Sequence, residues 1–409
     1  MSAAGSDRRR VVITGLGVVS ALGTGRAAHF EGLREGRVGI GPIERISAER
    51  LMIKIAAEAK GFEGTDYFDR SQLALYDRVT QMALVAAAEA MAQSGLEIDE
   101  ELGLRTATII ATAMGGLHTQ DENYYAVYHE MKNRVHPFII PRLMANAPVS
   151  QVSMKYGLMG PAWSVATACS SANHAIGQAM QLVRSGACDA AVTGGTESVL
   201  CFGGIKAWEG LRVMSKDGCR PFSKTRNGMV LGEGAAILVL EERERAMARG
   251  ATILAEVAGT GMTADAGDIV APKMEGAARA ISLALADAGM PAEAVDYVNA
   301  HGTATAINDR TEAAALRAAL GEHAESIMVS STKSMHGHAI GAAGALEAAA
   351  VVMALTENVV PPTMGYEEPD PEIGLDVVPN AARQAPVKAA LSNSFAFGGL
   401  NAVLAFRGA

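Results

Sequence analysis

Residues Val165–Gly177 read VATACSSANHAIG. An apolar, strand-like run stops at Cys169, and small residues then open a helical pattern that continues to about Arg184. A cysteine at a strand-to-helix junction sits at the positive end of the helix dipole, where backbone N–H groups lack partners and can point at the sulfur. Such a position is expected to lower the thiol pKa and to make a nucleophile. A free cysteine is more often a small buried hydrophobe, so the rest of the chain has to decide between the two.

The 409 residues exceed one ordinary core and predict two domains or a duplicated one. Hydrophobic residues make up 49% and charged residues 19%, which marks a large-core globular chain and excludes disorder. Cys169, Cys188, Cys201 and Cys219 form no CxxC pair and no zinc-like cluster with histidine, which fits a reducing, cytoplasmic setting. Arg8-Arg9-Arg10 before VVITGLGVVSALG resembles a signal peptide superficially. Gly15 and Gly17 weaken that helix, and Val11, Val12 and Ile13 favour a buried strand. No uninterrupted run of 18 apolar residues predicts a membrane span.

The net charge of −9 argues against nucleic acid as a partner. One stretch runs against that balance. Lys206, Arg212, Lys216, Arg220, Lys224 and Arg226 face only Glu209 and Asp217 within it, and it reads either as a solvated loop face or as a landing patch for an acidic partner.

Working outward from Cys169, strand-like and helix-like patterns alternate. Strands are expected at 11–16, 106–112, 189–194 and 235–241, with helices at 78–94 and 242–250. A second series begins near 252. It has strands at 253–261, 295–301, 326–331, 389–395 and 401–406, and helices at 275–289, 309–320 and 340–356. Alternation of this kind predicts an α/β fold with parallel-rich sheets covered by helices. The similar order of the two series hints at duplication, although no clear sequence repeat is visible.

Three further segments place polar residues at strand ends: NAHGTAT at 299–305, SSTKSMHGH at 330–338 and the glycine-rich SNSFAFGGLN at 392–401. Strand ends are where α/β sheets place their chemistry. His174 lies inside the helix after Cys169 and reads as structural. His336, His338 and His301 also read as a candidate metal set, but no carboxylates flank them at obvious spacing. The joint placement of Cys169, His301, Lys333 and His338 reads instead as a covalent-catalysis constellation.

On TACSS, NAHGTAT, STKSMHGH and NSFAFGG, the chain resembles the condensing enzymes of the thiolase superfamily, specifically β-ketoacyl-acyl carrier protein synthase II. The resemblance runs from VVITGLGVVSALG to NAVLAF. ACSSANHAI and CRPFSKTRNGMVLGEGA are most similar to the nodulation protein E branch. The resemblance implies a thiolase-like fold of two similar halves, 1–256 and 257–409, in a five-layered αβαβα arrangement that forms a homodimer. It implies that Cys169 is the acyl-accepting nucleophile, that His301 and His338 serve malonyl decarboxylation, and that Lys333 supports them. Phe397 then matches the gating residue, whose N–H joins that of Cys169 in an oxyanion hole beside Gly398 and Gly399. Thr303 and Thr305 match the threonines that hold a pantetheine arm, and Glu347 a supporting glutamate. With Asn299, Ser392 and Asn393, Glu347 is also implied in a structural monovalent-cation site. No cofactor and no catalytic metal are implied: acyl and malonyl groups arrive on the phosphopantetheine of an acidic acyl carrier protein.

Some positions depart from the family pattern. Ala396 replaces a glycine of the gating loop, Leu400 and His336 replace threonines, and Gln120 falls where an apolar residue lines the acyl pocket. The basic residues before the first long helix are reduced to Arg70 and Arg78. Two alternatives stay open: a non-catalytic partner of the chain-length-factor type, and an enzyme that condenses an aryl or polyene starter.

Overall fold

The computed structural model describes residues 8–409. Ten strands carry the architecture. The first five are β1 (Val11–Ser20), β2 (Thr106–Ala111), β3 (Ala162–Val165), β4 (Ala190–Glu197) and β5 (Gly234–Glu242). The second five are β6 (Ala255–Ala264), β7 (Tyr297–Asn299), β8 (Met328–Ser330), β9 (Ala389–Ala396) and β10 (Leu400–Gly408). The first set is ordered β3-β2-β4-β5-β1 and the second β8-β7-β9-β10-β6. In both, the order is third, second, fourth, fifth, first. In both, the first three positions are parallel and the last two strands join antiparallel. The duplication hinted at by the sequence is therefore a repeat of topology.

The two sets meet where β1 and β6 pair antiparallel through Val12 with Glu256 and Ile13 with Ala255. The expected boundary at 256/257 thus falls two residues inside β6, and residues 249–254 make the connection.

Each half packs an outer helix onto its first strand by one device. In the first half, α1 (Arg78–Ser94) is capped by Asp77, whose side chain accepts the Val79 N–H, and ends at the left-handed Gly95. It lies so close to β1 that a Cβ at Gly17 would stand 1.9 Å from the Ala86 carbonyl oxygen. In the second half, the outer helix Met274–Ala288 approaches β6 so closely that a Cβ at Gly261 would stand 2.0 Å from the Ala280 oxygen. Between the two sheets lie α2 (Ser171–Arg184) and the Ala-rich helix Ala343–Glu357, back to back. The result is the five-layered αβαβα arrangement, and the central helices carry the largest apolar cluster.

Segment Ile340–Glu357 is long and apolar enough to cross a bilayer, with a mean hydropathy of 1.5, yet 89% of it is buried in the protein. It is the core of the sandwich, where burial of its methyl groups drives the two halves together.

Candidate active site

The chain turns sharply between β3 and α2. Ala168 sits at φ +49° in the left-handed region, and a single 3₁₀ turn, Ala168–Ser170, presents Cys169. The two serines after it hold this bend. Ser170 Oγ donates to the Thr167 carbonyl at 2.9 Å, and Ser171 Oγ donates to that of Ala168 at 2.6 Å. A non-glycine residue in this region costs about 1–2 kcal/mol, and such strain clusters at functional sites.

Cys169, His301 and His338 converge: the sulfur and one nitrogen of each ring lie within 4.8 Å of one another. The two rings stand edge to face at 5.5 Å. Together with Phe397, Phe395, Thr303 and Thr305 they line a cavity of about 340 Å³. Lys333 and Glu347 lie fully buried behind them.

The partners of the rings set their tautomers. The Ile340 N–H donates to His338 Nδ1 at 3.2 Å, so the ring proton resides on Nε2, a buried atom with no protein partner. Lys333 Nζ lies 3.3 Å from His301 Nδ1 and donates to the His301 carbonyl at 2.7 Å and to Glu347. An ammonium only donates, so His301 Nδ1 accepts and its Nε2 also carries hydrogen. Burial, and then the charge of Lys333, hold both imidazoles well below their usual pKa, so both are neutral at pH 7. The three groups are close enough to surround a metal ion, but a metal needs the Nε2 lone pairs that these tautomers do not offer.

One expectation is reversed. Burial pushes the Cys169 thiol up to about 11, against the pull of Lys333 and of the backbone N–H groups of Phe397 and Cys169. Desolvation of a buried thiolate outweighs the helix start. The two N–H groups that reach the sulfur are those expected to form an oxyanion hole.

The other expected residues fall in different places. Thr303 and Thr305 hydroxyls pair at 2.9 Å within the cavity wall. Phe397 lines the cavity, and its ring stacks on Trp208 at 6.2 Å. Gly398 and Gly399 form the left-handed turn behind it and do not line the wall. Gln120 is half-buried on the helix Leu117–Tyr124 and likewise does not line this cavity. Arg78 is not a surface cation: it is buried in a bidentate pair with Glu233, at 2.8 and 2.6 Å. The basic stretch is mostly neutralised. Lys206 pairs with Glu209, Arg220 with Asp217, Lys224 with Glu368, and Arg226 with Asp370.

The expected cation site can be tested against buried oxygens. Asn299 Oδ1, Glu347 Oε2, Ser392 Oγ and Asn393 Oδ1 are all buried without a hydrogen-bond partner, and Asn299 and Ser392 are register neighbours on β7 and β9. An all-oxygen set with unmet acceptor capacity fits a hard cation.

Sequence reasoning missed two carboxylates. Glu312, on the helix Ala306–Leu320, accepts the N–H groups of His301 and Gly302 at 2.8 and 2.7 Å and so fixes the loop that carries His301. Glu197, at the end of β4, accepts the N–H groups of Ala113 at 2.7 Å and Gly341 at 3.1 Å, tying the segment after His338 to the first half. Burial raises both to about 7. The available signal was an acidic residue at the end of an apolar strand or on an Ala-rich helix, which resembles a solvated position when read alone.

Comparison with known proteins places these features in context. Residues 8–246 match the family described as Beta-ketoacyl synthase, N-terminal domain, and residues 254–367 match its C-terminal domain. Nodulation protein E of Rhizobium sp. (strain N33) is 48% identical over 98% of this chain and 99% of its own length. The 3-oxoacyl-[acyl-carrier-protein] synthase 2 of Synechocystis sp. (strain ATCC 27184 / PCC 6803 / Kazusa) is 42% identical over 98% of each. Among solved structures, the ishigamide ketosynthase/chain length factor superposes with a TM-score of 0.93 at 38% identity, covering 98% of this chain and 100% of that one.

Proposed function

We propose that this chain, which belongs to the β-ketoacyl synthase family, joins a Cys169-bound acyl group to a malonyl unit delivered on acyl carrier protein, in the manner of a type II synthase. The observation that carries this reading is the paired engagement of both histidine Nδ1 atoms, which leaves two neutral N–H donors beside one nucleophilic sulfur.

Cys169 Sγ attacks the incoming thioester carbonyl. Negative charge grows on its oxygen, where the N–H groups of Cys169 and Phe397 receive it, each donor worth about 3 kcal/mol in comparable sites. The pantetheine thiol leaves with the proton that Cys169 gives up, so no external base is needed. Malonyl thioester then loses CO₂, and the Nε2–H groups of His301 and His338 donate to the enolate oxygen. Neutral donors serve well here, because they stabilise charge that exists only as the reaction proceeds. The enolate carbon attacks the acyl-Cys169 carbonyl, the same N–H pair holds the new oxyanion, and the thiolate departs.

A monovalent cation held by Asn299, Glu347, Ser392 and Asn393 would satisfy their orphan oxygens and brace β7 and β9 behind the histidines. A homodimer fits strand β3, which pairs on one side only and leaves Trp163 partly exposed. The four free, buried cysteines fit a cytoplasmic setting. The retained nucleophile and both histidines weigh against a non-catalytic partner, while an aryl or polyene starter shares the whole mechanism.

The test separates the half-reactions. Cys169→Ala should lose condensation and retain malonyl decarboxylation, read as CO₂ release. His301→Ala and His338→Ala should still acquire an acyl group on Cys169 by mass spectrometry and lose decarboxylation. Condensation by Cys169→Ala, or wild-type decarboxylation by either histidine variant, contradicts the assignment.

A further inference from the structure

We propose that His336 is a positioning residue: it sets which way round the Asn299 amide sits, and so turns the Asn299 oxygen toward the buried oxygen set behind His301 and His338. The proposal rests on the cation reading above and assigns the device by which this chain orients one member of that set.

Hydrogens can be followed one at a time from His336 to Asn299. A backbone carbonyl only accepts, so the 3.0 Å contact between His336 Nδ1 and the Gly337 oxygen places the ring hydrogen on Nδ1. Burial, and then the charges of His29 and Lys333, hold the His336 pKa at about 3, so the ring is neutral and Nε2 is left as an acceptor. Thr332 Oγ1 lies 3.0 Å from that nitrogen and gives it the one hydrogen a hydroxyl has. Thr332 Oγ1 can then only accept, and the group that reaches it is the amide nitrogen of Asn299, at 3.4 Å. The same nitrogen donates its other hydrogen to the Tyr297 hydroxyl at 3.0 Å, which is paired with Ser330 Oγ at 2.8 Å. With both amide hydrogens spent on that side, Asn299 Oδ1 faces away, buried and without a hydrogen-bond partner among the described residues.

His336, Thr332, Asn299 and Tyr297 are all inaccessible to solvent, so bulk water does not compete for these hydrogens. Glu347 Oε2, Ser392 Oγ and Asn393 Oδ1 share the unmet acceptor state of Asn299 Oδ1, and Ser392 is its register neighbour. Without an acceptor at position 336, the Thr332 hydroxyl is free to donate to the amide oxygen instead. The flipped amide would aim its two positive hydrogens at the oxygen set and repel a cation. The family pattern has threonine where this chain has His336. A threonine hydroxyl both donates and accepts, so it fixes no direction. An imidazole whose other nitrogen is tied to a carbonyl accepts only.

The experiment follows the melting temperature of the full chain as sodium or potassium chloride replaces tetramethylammonium chloride at constant ionic strength, in wild type, His336→Gln, His336→Leu and Thr332→Val. Wild type should gain stability in a saturable way, because an ion held only by the folded state stabilises it. His336→Gln can still donate to the Gly337 carbonyl and accept from Thr332, and should keep the gain. His336→Leu fills space and accepts nothing, and should raise the half-saturating salt concentration about tenfold, the worth of one buried hydrogen bond. Thr332→Val interrupts the same relay one link further on at nearly constant volume and should shift it in the same direction, so the result does not hang on the folding of one variant. A general loss of packing would lower the melting temperature at every salt concentration and leave the half-saturation point where it is. An unshifted half-saturation point in His336→Leu or Thr332→Val, or a shift in His336→Gln as large as in His336→Leu, overturns the orienting role alone. A wild type that gains from neither salt overturns the cation reading together with it.

Discussion

Replacing Lys333 with methionine separates stability from catalysis in this site. The lysine is fully buried, and its three ammonium protons meet three acceptors: Glu347, the His301 carbonyl at 2.7 Å and His301 Nδ1 at 3.3 Å. Methionine keeps the bulk of the stem and removes all three bonds. Glu347 then loses its lysine partner, and breaking a buried pair from one side costs about 3–5 kcal/mol. Burial already raises the Glu347 pKa, and Lys333 is what opposes that rise. In the variant the folded value climbs further above the unfolded one. Folding then favours the protonated acid, so the variant's stability is fullest below the unfolded value and falls as pH rises through the folded one. The gap in melting temperature between Lys333→Met and wild type should therefore be wider at pH 8 than at pH 6. Adding Glu347→Gln removes the stranded charge and should recover most of the loss at both pH values. Catalysis should not recover. Without a donor on Nδ1, His301 is free to place its proton there, and decarboxylation should drop on the order of 10²-fold in both variants. Thermal melts at the two pH values and a CO₂-release assay decide the matter. Wild-type decarboxylation in Lys333→Met, or no recovery of stability in the double variant, refutes the reasoning.

Three other outcomes are expected. Alkylation of Cys169 by iodoacetamide should keep accelerating between pH 7 and 10, about tenfold per unit, because the thiolate is the minor species below about 11; a plateau near neutrality contradicts this. Arg78→Met should destabilise the first half by about 3–5 kcal/mol by stranding Glu233, seen as a lowered melting temperature. In wild type, burial pushes Glu233 up but the charge and hydrogen bonds of Arg78 outweigh it and bring it down to about 2, so the pair's contribution is present above the ordinary glutamate range and disappears as pH falls through about 2. Ala168→Gly should raise stability by about 1 kcal/mol by relieving the left-handed residue before Cys169, while slowing acylation because the bend is less firmly set; unchanged stability would show that the bend holds no strain.

Much of the fold was legible because its signals are local. Periodicity placed α1 at the residues the structure shows, 78–94, and put β1, β2, β4 and β5 within a few residues of their ends. The duplication was less legible, because what repeats is a steric arrangement. Gly15 and Gly17 in β1, and Gly259 and Gly261 in β6, make room for an Ala-rich outer helix in each half. A G-x-G in a strand is too common to announce a repeat, and its meaning is clear only when the helix is seen on top of it.

By itself, the sequence determined which residue types stand at strand ends: a cysteine before a helix, histidines at 301 and 338, a lysine at 333 and a glycine-rich hairpin. Those are properties of short segments and survive in one dimension. Only the tertiary structure decided their state. The Cys169 thiol is held protonated by burial, which depends on atoms from both halves. The tautomers of His301 and His338 are set by Lys333 and by the N–H of Ile340. Arg78 proved to be a core ion pair, and most of a basic stretch was cancelled by carboxylates as far away in the chain as Glu368 and Asp370. Charge, protonation and solvation are sums over everything within a few ångströms, and the chain order does not say which residues those neighbours are.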